Sequence, residues 1–265
     1  MSRIAIIDGD IVLYKAAEAA TEVLEVVEED EISPYLYRVC YYGDKNKATL
    51  IVEEMVDKIC KLTKSNDCIL CLSDSQNFRK QLNPNYKLNR KKKMKPLLME
   101  FLRNRVKELG YKVVQRPNLE ADDVIGILAT GDEIIKGDKC IWSLDKDFKT
   151  IPCKFAKGGI DGSLERMTIT PEAADWWFMY QTLKGDPVDG YSGCKGIGDK
   201  LATKLLGKIG EKSLEEMWEI VQKTFKEKGY SEEEALLNAR MARILRHTDY
   251  NFKTSEVRLW SLGGN

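Results

Sequence analysis

Three carboxylates lie within four positions of the sequence, at Glu120, Asp122 and Asp123, directly before the apolar segment 124–128. The apolar spacing predicts a helix packed on a core, whereas carboxylates this close repel and raise one another's pKa. Two interpretations follow. The segment is either an acidic helix N-terminus on a solvated edge or the site of a bound cation.

Similar acids follow other predicted strands. Asp8 ends the apolar run RIAII, Asp74 follows CILCLS, and Asp145 and Asp147 follow CIWSL. Ligands bind beyond the carboxyl ends of parallel strands, so we expect these acids to converge on one edge of a sheet. A single aspartate there is more often a helix cap, but its recurrence at successive strands favours a metal site.

The chemistry that suits such a site is that of magnesium. Mg²⁺ binds through carboxylates, keeps several waters and accepts phosphate oxygens. Two ions about 3.5–4 Å apart can activate a water and stabilise the leaving oxygen of a phosphoryl displacement. His247 is the only histidine, and the one Cys-x-x-Cys pair, Cys68 and Cys71, lies in a predicted buried strand. This inventory disfavours a zinc site and a histidine-dependent triad.

Composition sets the broad class. The 265 residues are 43% hydrophobic and 32% charged, which is typical of a globular protein. We find neither a membrane-spanning run nor a signal peptide, and we expect a cytoplasmic protein that acts as a monomer without membrane contact. The 42 basic and 42 acidic residues balance, so the distribution of charge says more than its sum.

The order of elements predicts an α/β fold, with a mainly parallel sheet and helices on both faces. Residues 1–165 alternate between strand and helix patterns, and residues 166–265 are mainly helical in pattern. No flexible linker separates the two parts. We therefore expect an α/β domain and a helical region that share an interface.

A basic stretch lies inside the first domain, at about residues 78–105. Charge runs are usually solvated faces, but this one stands between an acid-bearing strand and a helix. There it could bind a single strand through its phosphates and bases, and its nearest cations could neutralise a reacting phosphate. Its basic and aromatic residues include Phe78, Arg79, Lys80, Tyr86, Lys87, Arg90, Lys91, Lys92, Lys93 and Lys95.

A glycine-rich turn occupies the start of GCKGIGDKLATKLL, residues 193–206. It follows a helix and lacks the Gly-Lys-Ser/Thr of a phosphate loop. Its glycines could let backbone N–H groups approach a nucleic-acid phosphate, although an ordinary helix-to-helix turn would look similar. The residues concerned are Gly193, Gly196 and Gly198 with Lys195, Lys200 and Lys204, and GDPVDG upstream adds Asp186 and Asp189.

Together these segments resemble the 5′-nuclease, or flap endonuclease, superfamily. The matching motifs are IDGD, SDSQNFRKQLNPNYKLNR, EADDVIG, SLDKDFKTI and GDPVDGYSGCKGIGDK. DKDFKTIP, ADWW, QTLKGDPVDGYSG and MARILRHTDYNF are similar to the 5′-to-3′ exonucleases of short-tailed bacteriophages. The resemblance implies a PIN-like fold with a basic helical arch at about 78–105 and a helix-three-turn-helix motif at about 183–210.

The resemblance also implies a two-metal phosphodiesterase using Mg²⁺, for which Mn²⁺ can substitute. One ion would be held by Asp8, Asp74, Glu120, Asp122 and Asp123, and the other by Asp145, Asp147, Asp186 and Asp189. Lys87 and Arg90 would contact the scissile phosphate, supported by Tyr86 and Arg79. Lys91, Lys92 and Lys93 would contact DNA, and the glycine turn would bind duplex phosphates around a monovalent cation such as K⁺.

The expected activity is that of a 5′-to-3′ exonuclease or flap endonuclease in phage DNA replication and DNA degradation. It would act on duplex DNA with 5′ ends or flaps, and on RNA in RNA–DNA hybrids, leaving 5′-phosphates. A PIN-type ribonuclease is one alternative, although it would need neither the arch nor the glycine turn. A non-catalytic DNA-structure-binding protein is another, but it should have lost acids. Asp10 and the acidic hairpin at 21–48 have no assigned role.

Overall fold

The computed structural model describes residues 2–28, 36–88, 96–132 and 134–263. Its strands are β1 (Arg3–Asp8), β2 (Thr21–Glu28), β3 (Leu36–Gly43), β4 (Asp67–Cys71), β5 (Lys112–Val114), β6 (Asp138–Ser143), β7 (Cys153–Gly158), β8 (Leu164–Ile169), β9 (Tyr250–Asn251) and β10 (Glu256–Val257). Its helices are α1 (Gly9–Ala19), α2 (Lys45–Thr63), α3 (Arg79–Leu82), α4 (Met99–Glu108), α5 (Ala121–Thr130), α6 (Pro171–Lys184), α7 (Asp199–Leu206), α8 (Leu214–Glu227) and α9 (Glu232–Ala242). Short 3₁₀ turns occupy Lys146–Thr150 and His247–Asp249.

Six strands form the central sheet in the order β5-β4-β1-β6-β7-β8. All neighbouring pairs are parallel except β7 with β8, which confirms the predicted mainly parallel sheet. Alternate residues of β1 enter different cores. Ala5 and Ile7 pack with α1, α2 and α4, whereas Ile6 packs with α5 on the other face. A strand buried on both faces needs a continuous apolar run, which RIAII supplies.

The carboxyl edge of this sheet positions the acids. β1 ends at Asp8, and α1 begins at the next residue. The chain leaves β1 between its two neighbours β4 and β6, which is where strand order reverses and ligands bind in open α/β sheets. α5 packs on β1, β4 and β6, so its N-terminus is brought to the same edge.

The helical region forms a third core from α6, α7, α8 and α9. β8 continues in the central sheet to Ile169, just beyond residue 166, at which we expected the helical region to begin. The chain after α9 returns to the first domain, where Ile244, Leu245 and Tyr250 pack with α5. The approach is close, since a Cβ on Gly126 would lie 2.4 Å from the Leu245 carbonyl oxygen. The expected interface between the two parts is therefore present, although their exact division stays a prediction.

The basic stretch is described at its two ends. α3 and the turns that follow it reach Leu88, and the chain is described again from Pro96, ahead of α4. Arg90, Lys91, Lys92, Lys93 and Lys95 lie outside the described residues. The predicted hairpin is present as the antiparallel pair β2–β3. Among the helices of the described part of the chain, none is long and apolar enough to cross a membrane.

Candidate active site

Asp8 lies at the centre of the acidic edge and is 3% exposed. One carboxylate oxygen accepts from the Ile11 N–H at 3.3 Å and caps α1, and the other accepts from the Ser143 hydroxyl at 2.9 Å. Burial, assisted by the charges of Asp10 and Asp145, raises the pKa of Asp8 to about 7 against these two hydrogen bonds. When ionised, Asp8 therefore carries a negative charge that its two neutral hydrogen-bond donors do not fully compensate.

Asp122, in the first turn of α5, shares this environment. Loss of hydration raises its pKa well above the ordinary value, and the charges of Asp8, Glu120 and Asp145 add to the rise. Lys87 opposes the shift. The carboxylates of β1, α5 and the segment after β6 are therefore close enough to influence one another's charge.

Glu120 has the opposite titration behaviour because cations surround it. The Lys87 ammonium lies 2.7 Å from Oε1, the Tyr86 hydroxyl donates to Oε2 at 2.7 Å, and Arg79 lies 3.4 Å away. Burial alone would raise the pKa of Glu120, but the charges of Lys87 and Arg79 and these hydrogen bonds lower it to about 2. Glu120 is therefore ionised and already neutralised.

Lys87 is placed by its backbone as well as by its ammonium. It has a left-handed φ of 52°, and its N–H donates to the Asp189 carbonyl at 2.9 Å. Its ammonium also lies 3.6 Å from the Asp189 carboxylate. Lys87 thus joins the α5 acids to the GDPVDG loop.

Asp123 and Arg79 form a buried ion pair next to the acidic edge. Asp123 is fully buried, and both of its oxygens accept from the Arg79 guanidinium at 2.7 Å. The Leu245 and Glu120 N–H groups also donate to it, at 3.1 and 3.4 Å. Arg79, itself 3% exposed, also donates to the Met241 and Arg243 carbonyls. Both side chains therefore serve the structure of the site, and the expected roles of Asp123 as a metal ligand and of Arg79 as a catalytic residue stay predictions.

Asp74 and Asp10 lie at the same edge with partners of their own. Asp74 accepts from the Asn118 N–H at 2.9 Å and from Gln115 at 3.2 Å, and such bonds, Asn118 foremost, lower its pKa. Asp10 accepts from Arg103 of α4 at 2.7 Å and from the Ser73 N–H at 3.0 Å. Asp10, which had no assigned role, therefore anchors α4.

A second group of acids follows β6 and α6. Asp145 accepts from the Asp147 N–H at 2.8 Å and begins the 3₁₀ turn. Asp147 accepts from Gln181 at 2.5 Å and Lys146 at 3.0 Å, yet burial, followed by the Asp145 charge, raises its pKa. The Asp186 carboxylate accepts from two N–H groups of its own loop, and its charge also acts on Asp147.

These carboxylates fit a hard divalent cation by donor type, because they are oxygen ligands with uncompensated negative charge. Among the described residues, no three acidic, histidine or cysteine side chains are already arranged around one metal position. Instead the Lys87 ammonium supplies positive charge between Glu120 and Asp189. The structure thus presents grouped acids, with a lysine among them.

Sequence reasoning missed three residues of this edge. Ser143 is fully buried and joins the two acid groups, donating to Asp8 and accepting from the Asp145 N–H at 3.0 Å. Gln181 holds Asp147, and Arg103 holds Asp10. Only Ser143 had a local signal, as a small polar residue closing a buried strand just before two acids.

The glycine turn connects α6 to α7. Gly185 and Gly193 have φ values of 72° and 62°, and a Cβ on Gly185 would lie 2.2 Å from the Gly193 nitrogen, so the two backbones require glycine. The Gly193 N–H donates to Asn238 at 2.9 Å. The outer part of the turn is exposed, and so are the residues that follow it, including Gly196, Gly198, Lys195, Lys200 and Lys204.

Known proteins are similar to this chain in sequence. The family model described as 5′-3′ exonuclease, N-terminal resolvase-like domain, matches residues 3–154. The exodeoxyribonuclease of Enterobacteria phage T3 is 34% identical to this chain, over 97% of this chain and 92% of the phage T3 protein. The exonuclease of Escherichia phage T7 is also 34% identical to this chain, over 97% of this chain and 93% of the phage T7 protein. The chain belongs to the 5′-3′ exonuclease family.

The fold of this 5′-3′ exonuclease family member also matches a solved structure. The bacteriophage T5 flap endonuclease, in a pseudo-enzyme–product complex with DNA and metal ions, has a TM-score of 0.58 at 13% identity, over 91% of this chain and 88% of that chain. The resemblance to 5′-nucleases and to phage exonucleases is therefore confirmed, and a nuclease activity is supported.

The raised pKa of Asp8 predicts that this acid destabilises the metal-free protein. A carboxyl with a pKa of about 7 when folded and 3.8 when unfolded favours folding below about pH 4, and this contribution is lost as pH rises to about 7. In EDTA at about pH 8, we expect Asp8→Asn to raise the free energy of unfolding by roughly 1–3 kcal/mol. Near pH 5 the gain should be much smaller.

Thermal unfolding at the two pH values measures this effect. Asp57→Asn on the exposed side of α2 is the control and should change Tm little at either pH. Equal destabilisation by Asp8→Asn at both pH values would contradict the raised pKa.

The Arg79–Asp123 pair predicts a large stability effect. Arg79→Met leaves a buried carboxylate without its counterion, which should cost roughly 3–5 kcal/mol in urea unfolding. Removing that carboxylate as well, in Arg79→Met with Asp123→Leu, should restore part of the loss. Arg105→Met breaks an exposed pair with Glu108 and should cost less than about 1 kcal/mol. A double variant no more stable than Arg79→Met would disprove the ionic origin of the loss.

Proposed function

We propose that this chain is a Mg²⁺-dependent 5′-to-3′ exonuclease and flap endonuclease that hydrolyses DNA phosphodiester bonds. The observation that carries the proposal is the meeting of Asp8, Asp122 and Asp145, with raised pKa values for the first two, beside Lys87 in a member of the 5′-3′ exonuclease family. Acids at a shared edge whose charges are incompletely compensated suit a metal-assisted reaction on an anionic substrate better than a purely structural role.

Two groups of acids would hold two metal ions. The first consists of Asp8, Glu120 and Asp122, and the second of Asp145, Asp147, Asp186 and Asp189. Asp123 is left out because Arg79 occupies both of its oxygens. Asp74 would join the first group only through water or after leaving Gln115 and Asn118. When bound, the ions would activate the attacking water and stabilise the leaving oxygen.

The protein's own groups have separate tasks in this proposal. Lys87 would contact the scissile phosphate once its hold on Glu120 is relaxed, and would stabilise negative charge there. The Tyr86 hydroxyl orients Glu120. Ser143 holds Asp8 and the Asp145 backbone in fixed relation.

Substrate binding would use the glycine turn and the basic stretch. The exposed backbone around Gly196 and Gly198, with Lys195, Lys200 and Lys204, would contact duplex phosphates. Contacts from Arg90 and Lys91 to Lys93 stay predictions, as do a K⁺ ion at the turn, action on RNA–DNA hybrids, 5′-phosphate products and a role in phage replication. The T5 complex with DNA and metal ions supports DNA as the substrate.

The first test of the proposal is cleavage of a 5′-flapped duplex labelled separately at each 5′ end. With Mg²⁺ we expect stepwise loss of 5′ nucleotides, flap release or both, and none with EDTA. Asp122→Asn should lower the rate by roughly 10²-fold or more while leaving the fold intact. Asp132→Asn, an exposed change beyond the other end of α5, is the matched control. Binding without cleavage in any divalent metal would leave the DNA-structure-binding alternative.

The proposed role of Lys87 predicts that its removal lowers the rate of cleavage much more than the affinity for DNA. Lys87→Met should bind the flapped duplex within about threefold of the parent protein when Ca²⁺ replaces Mg²⁺. Its single-turnover cleavage with Mg²⁺ should slow by roughly 10²–10³-fold, because the lost charge acts mainly on the transition state. Lys61→Met, an exposed change at the end of α2 far from the carboxyl edge, is the control. Equal losses in binding and cleavage would assign Lys87 to substrate binding instead.

A further inference from the structure

One side of α6 carries aromatic and basic residues that the proposed chemistry does not use. Trp177, Tyr180, Gln181 and Lys184 are spaced by three, four and seven positions, so they lie on one side of the helix. Gln181 donates to Asp147 at 2.5 Å, so this side of α6 lies next to the second group of acids. Lys149, two residues after Asp147, extends it. We call Lys149, Trp177, Tyr180 and Lys184 the lysine–aromatic face.

The aromatic rings hold the two lysines of this face in place. The Lys149 ammonium lies 4.8 Å from the Trp177 ring centroid, and the Lys184 ammonium lies 5.7 Å from that of Tyr180. The two rings meet edge to face at 5.2 Å. Cation–π contacts of this kind orient an ammonium while leaving its outer side open to an anion. The rings therefore arrange positive charge that would otherwise be mobile.

The charge balance of the face favours an anion. Lys149 and Lys184 carry its positive charge, whereas Lys146, which is 58% exposed and lies near Tyr180, already pairs with Asp147 at 3.0 Å. Opposing the two lysines of the face is Asp199, which is 67% exposed and accepts from Lys184 at 2.6 Å and from the Tyr180 hydroxyl at 2.5 Å. An exposed carboxylate bridging a lysine and a tyrosine occupies donors that a phosphate oxygen could take instead.

We propose that the lysine–aromatic face binds the sugar–phosphate backbone of the DNA strand between the acidic edge and the glycine turn. From Trp177 to Lys184 the helix rises about 10 Å, the length of roughly three nucleotides of one strand. The face is continuous with the acid group at Gln181 and with the glycine turn, which follows Lys184 directly. This inference rests on the proposed function and assigns it a further substrate-binding surface.

The experiment measures DNA binding without cleavage. Binding of a flapped duplex with Ca²⁺ is followed by fluorescence anisotropy across a range of KCl concentrations. We expect Lys149→Met and Lys184→Met each to weaken binding by roughly three- to tenfold and to reduce the slope of log K against log salt by about one. Lys112→Met, which removes an exposed lysine at the opposite edge of the sheet, should leave both quantities unchanged.

Two further variants separate binding from a structural effect. Asp199→Asn removes the competing carboxylate and should tighten binding by roughly two- to fivefold, a direction that damage to the fold would not produce. Of the five tryptophans, only Trp177 is not buried, so DNA should change the protein's tryptophan emission and Trp177→Phe should abolish that change.

The outcomes distinguish this inference from the function on which it rests. A parent protein that neither binds nor cleaves the duplex would overturn both. A parent protein that binds and cleaves, with Lys149→Met and Lys184→Met retaining its affinity and salt slope, would overturn the lysine–aromatic face alone. Reduced salt slopes for both lysine variants, with tighter binding by Asp199→Asn, would establish it.

Discussion

The buried pair of Arg79 and Asp123 is the contact on which the site depends. The two side chains come from α3 and α5, and the remaining donors of Arg79 reach the chain just after α9. Three segments distant in sequence are therefore joined by one guanidinium. Removing two charges from water is costly, and the cost is met only because every oxygen of the carboxylate is hydrogen-bonded. Because Glu120 and Asp122 lie just before Asp123 in sequence, this pair also sets where these two acids lie.

The acids of the edge are separated into two kinds by their neighbours. Glu120, next to Lys87 and Arg79, has a pKa of about 2, whereas Asp8, capped only by neutral donors, has one of about 7. The same chemical group thus behaves differently across one small surface, which is a usual property of catalytic sites. The unfavourable charge near Asp8 and Asp122 destabilises the protein when no cation is bound. A bound cation would interact favourably with this charge.

The sequence predicted the recurring pattern of a buried strand followed by an acid. It did not predict the individual contacts that each acid makes. Buried strands followed by acids imply a parallel sheet and a common edge, and both are present. Which acid points inward depends on partners far away in the chain. Asp123 differs from Asp122 because Arg79 lies 44 positions before it, and Asp74 is turned by Gln115 and Asn118. No periodicity encodes such pairs, since a spacing pattern says which face a residue is on but not which partner it meets.

The two described ends of the basic stretch are attached to the same acidic edge. On one side, Tyr86 and Lys87 bind Glu120, and on the other Arg103 of α4 binds Asp10 and the Ser73 carbonyl. The ends are thus held by charges and hydrogen bonds as well as by apolar packing, since Tyr86 and Leu98 are buried in hydrophobic cores. Any ligand that neutralises the acids competes with these attachments, most directly with Lys87. Occupation of the acidic edge and the position of the basic stretch are therefore coupled through the same few carboxylates.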